Sequence, residues 1–299
     1  MANPQQYLLH PATDHADDSE ARVILIRSKD NPIMNCFYES CFYRRDYVIC
    51  DTEYALPYTE FFSFTNTDRE LRNLGATLTM EIAGQKFITD QNCVIEVPAF
   101  VPHGHIALTN MTNPVFSYVM GPGREHTSLP NASWHPENLG ALEEIVRYYN
   151  GDTVKLGPEG VQDYLIRCSP GKTILGDVSG TSRRLYTSDR WVLAPECHIH
   201  DTPEVLGYYS ADPWHPFELG ATFTQSINGE KVVIDRPSIV YLPPYIPHCP
   251  LIVEKVEKDT FWHSVGLNTG FTDGHPEWNL KELGVVNDEI QEFSPDEPW

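Results

Sequence analysis

The hydrophobic residues of this chain come in short apolar or alternating stretches separated by turn residues. Beginning with the apolar run at 21–26, each stretch is too short for a buried helix and suits a β-strand. The segments that follow this pattern in the first half of the chain are 46–50, 60–65, 76–82, 86–89, 93–97 and 115–120. Short strands at this spacing predict an all-β sandwich or barrel.

A helical pattern interrupts the strands near the middle of the chain. Within 138–149 the apolar residues recur at helical spacing, and Gly151 follows as a stop signal. The residues near one helical face are Leu139, Leu142, Ile145, Val146 and Tyr149. The pattern therefore predicts a linker helix, and residues 280–284 predict a second, short helix near the C-terminus.

An internal repeat indicates how the strands are organised. Segment 74–106 aligns with segment 219–251 at an offset of 220 − 75 = 145 residues, and twelve positions are identical. Chance does not produce this agreement, so the chain contains two copies of one β domain. In each copy a glycine, Gly84 or Gly229, lies between alternating segments and predicts a hairpin turn.

These patterns divide the chain into five parts. Residues 1–20 are polar and acidic and are expected to form an arm outside any core. The two β copies take 21–123 and 166–270, and 124–165 links them. Residues 271–299 contain the short C-terminal helix and an acidic tail.

Composition limits what the chain can bind. Forty-two acidic residues against 21 basic ones give a formal charge of −21, so the surface should repel nucleic-acid phosphates and anionic membranes.

No apolar run reaches the length of about 18 residues that a membrane helix needs. The N-terminus lacks the basic and apolar regions of a signal peptide, so we expect a cytoplasmic protein. Seven cysteines without a Cys-x-x-Cys pair are expected to be reduced thiols.

Residue types that bind metals cluster in the second copy. In an extended segment side chains two apart share a face, so His198, His200 and Glu204 point the same way. His248 follows Pro247 in the repeat and is the candidate fourth ligand from a separate strand. Three imidazoles and one carboxylate suit a first-row divalent ion. The alternative is four polar residues at a barrel mouth that bond to one another and hold no metal.

Two cysteines, Cys197 and Cys249, adjoin candidate ligand histidines and raise thiolate ligation as another alternative. Alternation turns Cys197 away from the face of His198, and buried cysteine usually packs as a small apolar residue. We therefore expect neither thiol to bind the ion.

The repeat and the ligand spacing resemble those of bicupins, proteins with two cupin-type jelly-roll barrels in tandem. The first cupin motif has two histidines in His-x-His spacing followed by a glutamate, and 198–204 match it. Pro243 and His248 match the proline and histidine of the second motif. The resemblance covers about 20–123 and 165–270. It implies one metal ion inside the second barrel, held by His198, His200, Glu204 and His248.

The first copy lacks most of these ligands. The positions of the two motif histidines hold Tyr54 and Leu56, and only Glu60 and His103 remain. Two ligands rarely hold a divalent ion, although His105 is a possible third. The aromatic residues expected to fill this barrel are Phe62 and Phe64. We predict a degenerate site in a packed, structural barrel.

Other residues on the second copy's strands are candidates for the substrate pocket. The expected pocket residues are Leu206, Tyr208, Tyr241 and Trp262. The candidates for acid or base catalysis are Tyr208, Tyr241 and His263, although such residues more often pack in a core. Arg183, Arg184 and Arg190 could bind a substrate carboxylate, but exposed arginine is their expected role.

These features lead to three functional hypotheses. The first is a dioxygenase-type oxidoreductase that uses Fe(II) on a small, aromatic substrate, with Mn, Ni, Cu or Zn as alternative ions. The second is a Mn-dependent decarboxylase or another lyase or isomerase. Oxalate decarboxylases of this family carry full ligand sets in both barrels, which counts against that exact substrate. The third is a non-catalytic metal or small-molecule binding protein. A homo-oligomer without nucleic-acid or membrane partners is expected.

Overall fold

The structure, a computed structural model, describes residues 3–11, 20–30, 33–69, 73–148, 158, 160–168, 178–195 and 197–267. These residues divide into two compact units. The first unit comprises the described residues between 11 and 148. The second comprises residues 3–10 together with those from 158 onward. Each unit contains one of the two sequence repeats.

Short strands make up most of both units. The first eleven strands are β1 (Leu8–Leu9), β2 (Arg22–Arg27), β3 (Phe37–Tyr43), β4 (Tyr47–Tyr54), β5 (Glu60–Asn66), β6 (Thr77–Ile82), β7 (Gln85–Thr89), β8 (Cys93–Val97), β9 (His103–Thr109), β10 (Val115–Gly121) and β11 (Val146–Tyr148). The others are β12 (Gln162–Cys168), β13 (Val178–Leu185), β14 (Trp191–Ala194), β15 (Glu204–Ser210), β16 (Ala221–Ile227), β17 (Glu230–Ile234), β18 (Ser238–Leu242), β19 (His248–Val256) and β20 (Thr260–Leu267).

Each unit is built from a six-stranded and a four-stranded antiparallel sheet. In the first unit the orders are β11-β8-β5-β10-β3-β2 and β4-β9-β6-β7. In the second they are β1-β18-β15-β20-β13-β12 and β14-β19-β16-β17. The two units therefore repeat one topology, with β1 in the place of β11. The predicted all-β fold with two tandem jelly-roll barrels is confirmed.

The two sheets of each unit enclose an apolar core. In the first barrel Phe62 and Phe64 of β5 share one buried cluster with Leu78 and Met80 of β6. The two phenylalanine rings are stacked with centroids 6.4 Å apart. This packing confirms that aromatic side chains fill the first barrel. The corresponding core of the second barrel includes Leu206, Tyr208, Phe223 and Trp262.

Both predicted hairpin turns are present. Ala83 and Gly84 join β6 to β7, and both have positive φ angles of 49° and 73°. Asn228 and Gly229 join β16 to β17 with φ angles of 53° and 80°. Two consecutive residues with positive φ produce the tight turn that matches the twist of the flanking strands.

The prolines near the candidate histidines separate strands, as expected, but the histidines themselves begin new ones. His103 is the first residue of β9 and His248 is the first residue of β19. The prolines that precede them, which cannot continue a strand ladder, predict instead that both histidines lie in a loop or at an edge just past a strand. Once a residue belongs to a strand, its pairing register decides which face of the sheet its side chain occupies, and a shift of one residue reverses that face.

The linker helix predicted over 138–149 is mostly wrong. A 3-10 turn covers Pro136–Asn138, α1 covers only Leu142–Ile145, and β11 follows it directly. Val146 of β11 pairs with Ile95 of β8 and is buried in the first-barrel core. Strand pairing and burial outweigh the helical spacing because a helix of three turns would leave the β8 edge open.

Three further 3-10 turns cover Pro4–Tyr7, Ser28–Asp30 and Asn131–Ser133. None of the helices in the described part of the chain is long and apolar enough to cross a membrane. The helix predicted at 280–284 and the acidic tail lie outside the described residues.

The N-terminal arm is partly built into the second barrel. Leu8 and Leu9 of β1 pair with Val240 and Ile239 of β18. Tyr7 is buried in the second-barrel core. The expectation that residues 1–20 lie outside any core is therefore wrong for the described residues 3–10. Apolar side chains within this polar segment are enough to cover the open edge of a sheet.

Candidate metal centre

A short antiparallel pairing brings two candidate ligands together in the second barrel. The N–H of His198 donates to the carbonyl of His248, and the N–H of His248 donates to that of His198, both at 3.1 Å. Directly opposed residues in antiparallel strands have side chains on the same face. The two imidazole rings accordingly lie with centroids 4.3 Å apart.

The third histidine approaches the same place from a neighbouring loop. The carbonyl of His200 accepts a hydrogen bond from the N–H of Tyr245 at 2.8 Å. Its ring centroid lies 4.8 Å from that of His198 and 5.1 Å from that of His248. Its Nε2 lies 3.8 Å from Oε2 of Glu204, the first residue of β15. His200, Glu204 and His248 are all buried.

Hydrogen bonds outside this group orient its atoms. Nδ1 of His248 lies 2.9 Å from the carbonyl oxygen of Ile246. A carbonyl oxygen only accepts, so Nδ1 carries a proton and Nε2 is the ring nitrogen that faces Glu204. Ser264 donates its hydroxyl to Oε1 of Glu204 at 2.6 Å, which directs Oε2 toward the histidines. Such outer contacts commonly fix metal ligands.

The inward-facing atoms of the group fit a cation. His248 Nε2 stands 3.0 Å from Glu204 Oε2. Neither atom has a further hydrogen-bond partner among the described residues. A buried carboxylate oxygen and a ring nitrogen at this distance need a positive charge between them, which either a proton on Nε2 or a bound cation supplies. The donor set of imidazole nitrogen and carboxylate oxygen suits a divalent transition metal.

The charge of Glu204 is consistent with this role. Burial would raise the pKa of its carboxyl group, but the neighbouring His248, His200 and His198 outweigh burial and lower the pKa to about 2. The carboxylate is therefore ionised at neutral pH and available to an ion.

The four predicted ligands form two overlapping groups in the structure. The ligand atoms of His200, Glu204 and His248 all lie within 4.8 Å of one another. Those of His198, His248 and Cys249 also lie within 4.8 Å of one another. The prediction of one four-residue set stays a prediction. Sγ of Cys249 thus lies near two ligand atoms, and the expectation that it does not bind the ion stays a prediction.

In the first barrel the equivalent carboxylate has three hydrogen-bond donors. Glu60 Oε2 accepts from the Tyr54 hydroxyl at 3.0 Å and from His103 Nε2 at 2.8 Å. Glu60 Oε1 accepts from His126 Nε2 at 3.0 Å. Leu56 is buried, and its apolar side chain cannot bind a metal ion or donate a hydrogen bond to Glu60. These bonds satisfy the carboxylate within the protein, as expected for a structural cluster.

His126 was not predicted from the sequence. This residue lies in the segment after β10, outside the repeat alignment, and no spacing rule connects it with Glu60. Burial lowers the pKa of His126, but the hydrogen bond and charge of Glu60 outweigh burial and raise it. Burial likewise raises the pKa of Glu60, and the bonds from His103 and His126 lower it to about 2. His105, the possible third ligand, is exposed.

The inner face of the second barrel contains some of the expected pocket residues. Leu206, Tyr208 and Trp262 belong to its buried core. The Tyr208 hydroxyl donates to Oε1 of Gln225 at 3.0 Å, and both residues are fully buried. Gln225 was not predicted, because a glutamine in a strand carries no sequence signal of its own. Tyr208 is thus a hydrogen-bonded polar group in an apolar wall.

One expected pocket residue, Tyr241, and one acid or base candidate, His263, lie on the opposite face of the sheet. Tyr241 is paired in register with Val205, and His263 with Gly207, whereas Glu204 is paired with Leu242. Because sides alternate along β15, positions opposite 205 and 207 face away from the metal centre. The placement of Tyr241 and His263 in the pocket, and their role as acid or base candidates there, is therefore wrong.

The surroundings of His263 are those of a packed residue. Its ring is stacked on Tyr209 with centroids 5.6 Å apart. A Cβ atom at Gly207 would meet its Cε1 at 2.2 Å, so the ring occupies the space that this glycine leaves. Burial lowers the pKa of His263 to about 3, so the imidazole is neutral.

Two of the three arginines are buried, which contradicts their expected exposure. The Arg183 guanidinium lies 5.0 Å from the ring centroid of Trp262, and its Nη1 donates to Gln162 at 3.2 Å. The Arg184 guanidinium lies 4.9 Å from the ring of Phe261. Stacking on aromatic rings allows these charged groups to be buried. Arg190 is partly exposed and forms an ion pair with Glu254 at 3.1 Å.

Comparison with known proteins gives a match in structure but not in sequence. No family model and no curated protein matches the sequence. A structure of oxalate decarboxylase, determined to examine its substrate binding mode and reaction specificity, matches with a TM-score of 0.59. The identity is 11%, and the match covers 97% of this chain and 87% of the other. The chain has the bicupin fold.

Other structures similar to this bicupin come from the same enzyme. A variant of Bacillus subtilis oxalate decarboxylase matches with a TM-score of 0.59 and 12% identity over 97% of this chain and 87% of the other. A structure of that enzyme concerned with its Mn(II) centres matches with a TM-score of 0.56 and 11% identity over 94% and 84%. The fold is thus one that a metal-dependent enzyme uses. These structures are decarboxylases, so the expected iron and dioxygenase chemistry gains no support from them.

Proposed function

We propose that this bicupin is a metal-dependent decarboxylase that acts on a small carboxylic acid at a single Mn(II) site in its second barrel. The observation that carries the metal site is the buried group of ligand atoms of His200, Glu204 and His248, which all lie within 4.8 Å of one another. The likeness in fold to oxalate decarboxylase supports decarboxylation over the dioxygenase reaction.

The proposed ligands are His198, His200, Glu204 and His248. A Mn(II) ion bound there would act as a Lewis acid that stabilises negative charge on a substrate carboxylate. The hydroxyl of Ser264 keeps Oε1 of Glu204 occupied, so Oε2 is presented to the ion. The Nδ1 bond to Ile246 keeps Nε2 of His248 directed inward. Both ligands therefore have their orientation fixed before an ion binds.

The wall of the second barrel suits a small substrate. Leu206 and Trp262 provide buried apolar surface on the same face as Glu204 and exclude water there.

Loss of carbon dioxide leaves a carbanion that must be protonated. Burial raises the pKa of Tyr208 well above its ordinary value, so its hydroxyl keeps its proton at neutral pH. We propose Tyr208 as the proton donor, and Tyr208→Phe should lower kcat without loss of bound metal.

The first barrel is proposed to hold no ion. Its carboxylate, Glu60, already accepts three hydrogen bonds from protein groups. Metal-free protein loaded with Mn(II) should therefore contain one ion per chain. His200→Ala should remove most of this metal by elemental analysis, whereas the matched variant His103→Ala should retain it. The reverse result would show that the site lies in the other barrel.

The reaction class is tested by measuring two gases at once. Mn(II)-loaded protein is given a panel of small mono- and dicarboxylic acids, including oxalate, and carbon dioxide release is followed together with oxygen consumption. Carbon dioxide release without oxygen consumption supports the proposal. Oxygen consumption by iron-loaded protein with phenolic substrates would instead indicate a dioxygenase. Inactivity with every loaded metal would favour a non-catalytic binding protein.

A further inference from the structure

A second group of ligand atoms lies beside the proposed Mn(II) site. A ring nitrogen of His198, a ring nitrogen of His248 and Sγ of Cys249 all lie within 4.8 Å of one another. Cys249 is 4% exposed and belongs to the second-barrel core, so its sulfur faces the barrel interior. Three ligand atoms of two types that transition metals favour therefore converge at a buried position.

The two groups differ in the metals they prefer. They share His248, but one adds the imidazole of His200 and the carboxylate of Glu204, whereas the other adds His198 and the sulfur of Cys249. Carboxylate oxygen suits Mn(II), and thiolate sulfur selects softer ions such as Zn(II). Two imidazoles, one thiolate and one water would complete the four-coordinate shell that Zn(II) adopts.

The first barrel has no equivalent of this group. Its counterparts of His198 and Cys249 in the repeat are Tyr54 and Gly104. A Cβ atom at Gly104 would lie 2.1 Å from the carbonyl oxygen of Thr52, so no thiol fits there. The sulfur is therefore a specific property of the second barrel and not a residue shared by both repeats.

We propose that His198, His248 and Cys249 form a second, thiophilic metal position, which binds Zn(II) or Co(II) in place of the proposed Mn(II) ion. On binding, the thiol of Cys249 releases its proton to solvent and a sulfur–metal bond forms. Because Nδ1 of His248 is engaged by Ile246, its one inward nitrogen can serve only one position at a time. The two ions should therefore exclude each other. This inference shares His198 and His248 with the proposed function but does not depend on decarboxylation.

The sulfur ligand can be detected by cobalt absorption. Titration of the metal-free full-length protein with Co(II) should produce a sulfur-to-cobalt charge-transfer band in the near ultraviolet. Cys249→Ser should abolish this band. The matched control is Cys197→Ser, which removes the adjacent half-buried thiol that belongs to neither group, and it should retain the band. Loss of the band in Cys197→Ser with retention in Cys249→Ser would overturn the assignment.

A measurement on the unaltered protein covers the case in which Cys249→Ser does not fold. X-ray absorption of protein loaded with one equivalent of Zn(II) should show a sulfur neighbour at about 2.3 Å. A shell of nitrogen and oxygen alone would overturn the proposal. Glu204→Gln should lose Mn(II) but keep the zinc–sulfur signal. Retention of Mn(II) by that variant would contradict the proposed Mn(II) site, whereas a missing sulfur signal contradicts only the thiophilic position.

Discussion

At the scale of single residues, two glutamates at matching positions of the repeat have different partners. Glu60 accepts hydrogen bonds from Tyr54, His103 and His126, so its charge is neutralised by protein donors. Glu204 accepts one bond, from Ser264, and its other oxygen faces imidazole nitrogens. The same carboxylate is a structural acceptor in one barrel and a candidate metal ligand in the other.

The role of Ser264 can be measured directly. Ser264→Ala frees Oε1 of Glu204 and lets the carboxylate rotate, so we expect Mn(II) affinity to fall by about 10–100-fold. Isothermal titration with Mn(II) gives this value. Ser117→Ala replaces a buried serine of β10 in the first barrel and should leave the affinity unchanged. Equal affinity in the Ser264 variant and the unaltered protein would show that this hydroxyl does not orient the ligand.

The cluster around Glu60 should make stability depend on pH. The pKa of Glu60 is lowered to about 2, so its contribution is complete above its ordinary value of 4.5 and is lost as pH falls toward 2. The pKa of His126 is raised, so its contribution is complete below 6.5 and is lost as pH rises through the raised value. The pair therefore stabilises the fold most between about pH 4.5 and 6.5.

We expect His126→Ala to lower the free energy of unfolding by about 1–2 kcal/mol in that window and by less at higher pH. Denaturant unfolding at several pH values checks this. His135 forms a similar contact with Glu137 at 2.9 Å, but both side chains are at least half exposed. His135→Ala should therefore have almost no effect. A pH-independent loss in the His126 variant would argue against the ion pair.

At the scale of elements, two short strands from outside the repeats cover equivalent sheet edges. β11 pairs with β8 in the first barrel, and β1 pairs with β18 in the second. β18 also pairs with β15, the strand that begins at Glu204, so β1 supports the sheet that carries a ligand. Covering an edge protects its unpaired backbone groups from association with other chains.

The support from the N-terminal segment should be visible in stability. Tyr7 precedes β1 and is buried in the second-barrel core, whereas Tyr148 of β11 is 43% exposed. Tyr7→Ala should lower the free energy of unfolding by about 3 kcal/mol, as for other buried aromatic residues. Tyr148→Ala should change it by less than about 1 kcal/mol. Thermal unfolding of both variants compares the two edges, and equal effects would contradict a specific role for the N-terminal segment.

At the scale of the whole molecule, metal binding should stabilise the protein through one barrel. Mn(II) at 100 times its dissociation constant should add about 2.7 kcal/mol to the stability of the unit that binds it. Calorimetry with and without Mn(II) measures the shift. Glu204→Gln should abolish the shift, and the matched variant Glu60→Gln should retain it. A shift lost only in Glu60→Gln would place the ion in the first barrel.

The sequence alone determined the two β repeats, both hairpin turns and the absence of motif histidines from the first copy. These follow from local rules, since strand alternation, glycine turns and ligand spacing depend on residues near one another in the chain. Tertiary structure decided which sheet face Tyr241 and His263 occupy, because strand pairing sets that register. It also brought His126 and Ser264 to the two centres from distant segments. Only folding through space establishes such contacts, so no spacing along the chain could have predicted them.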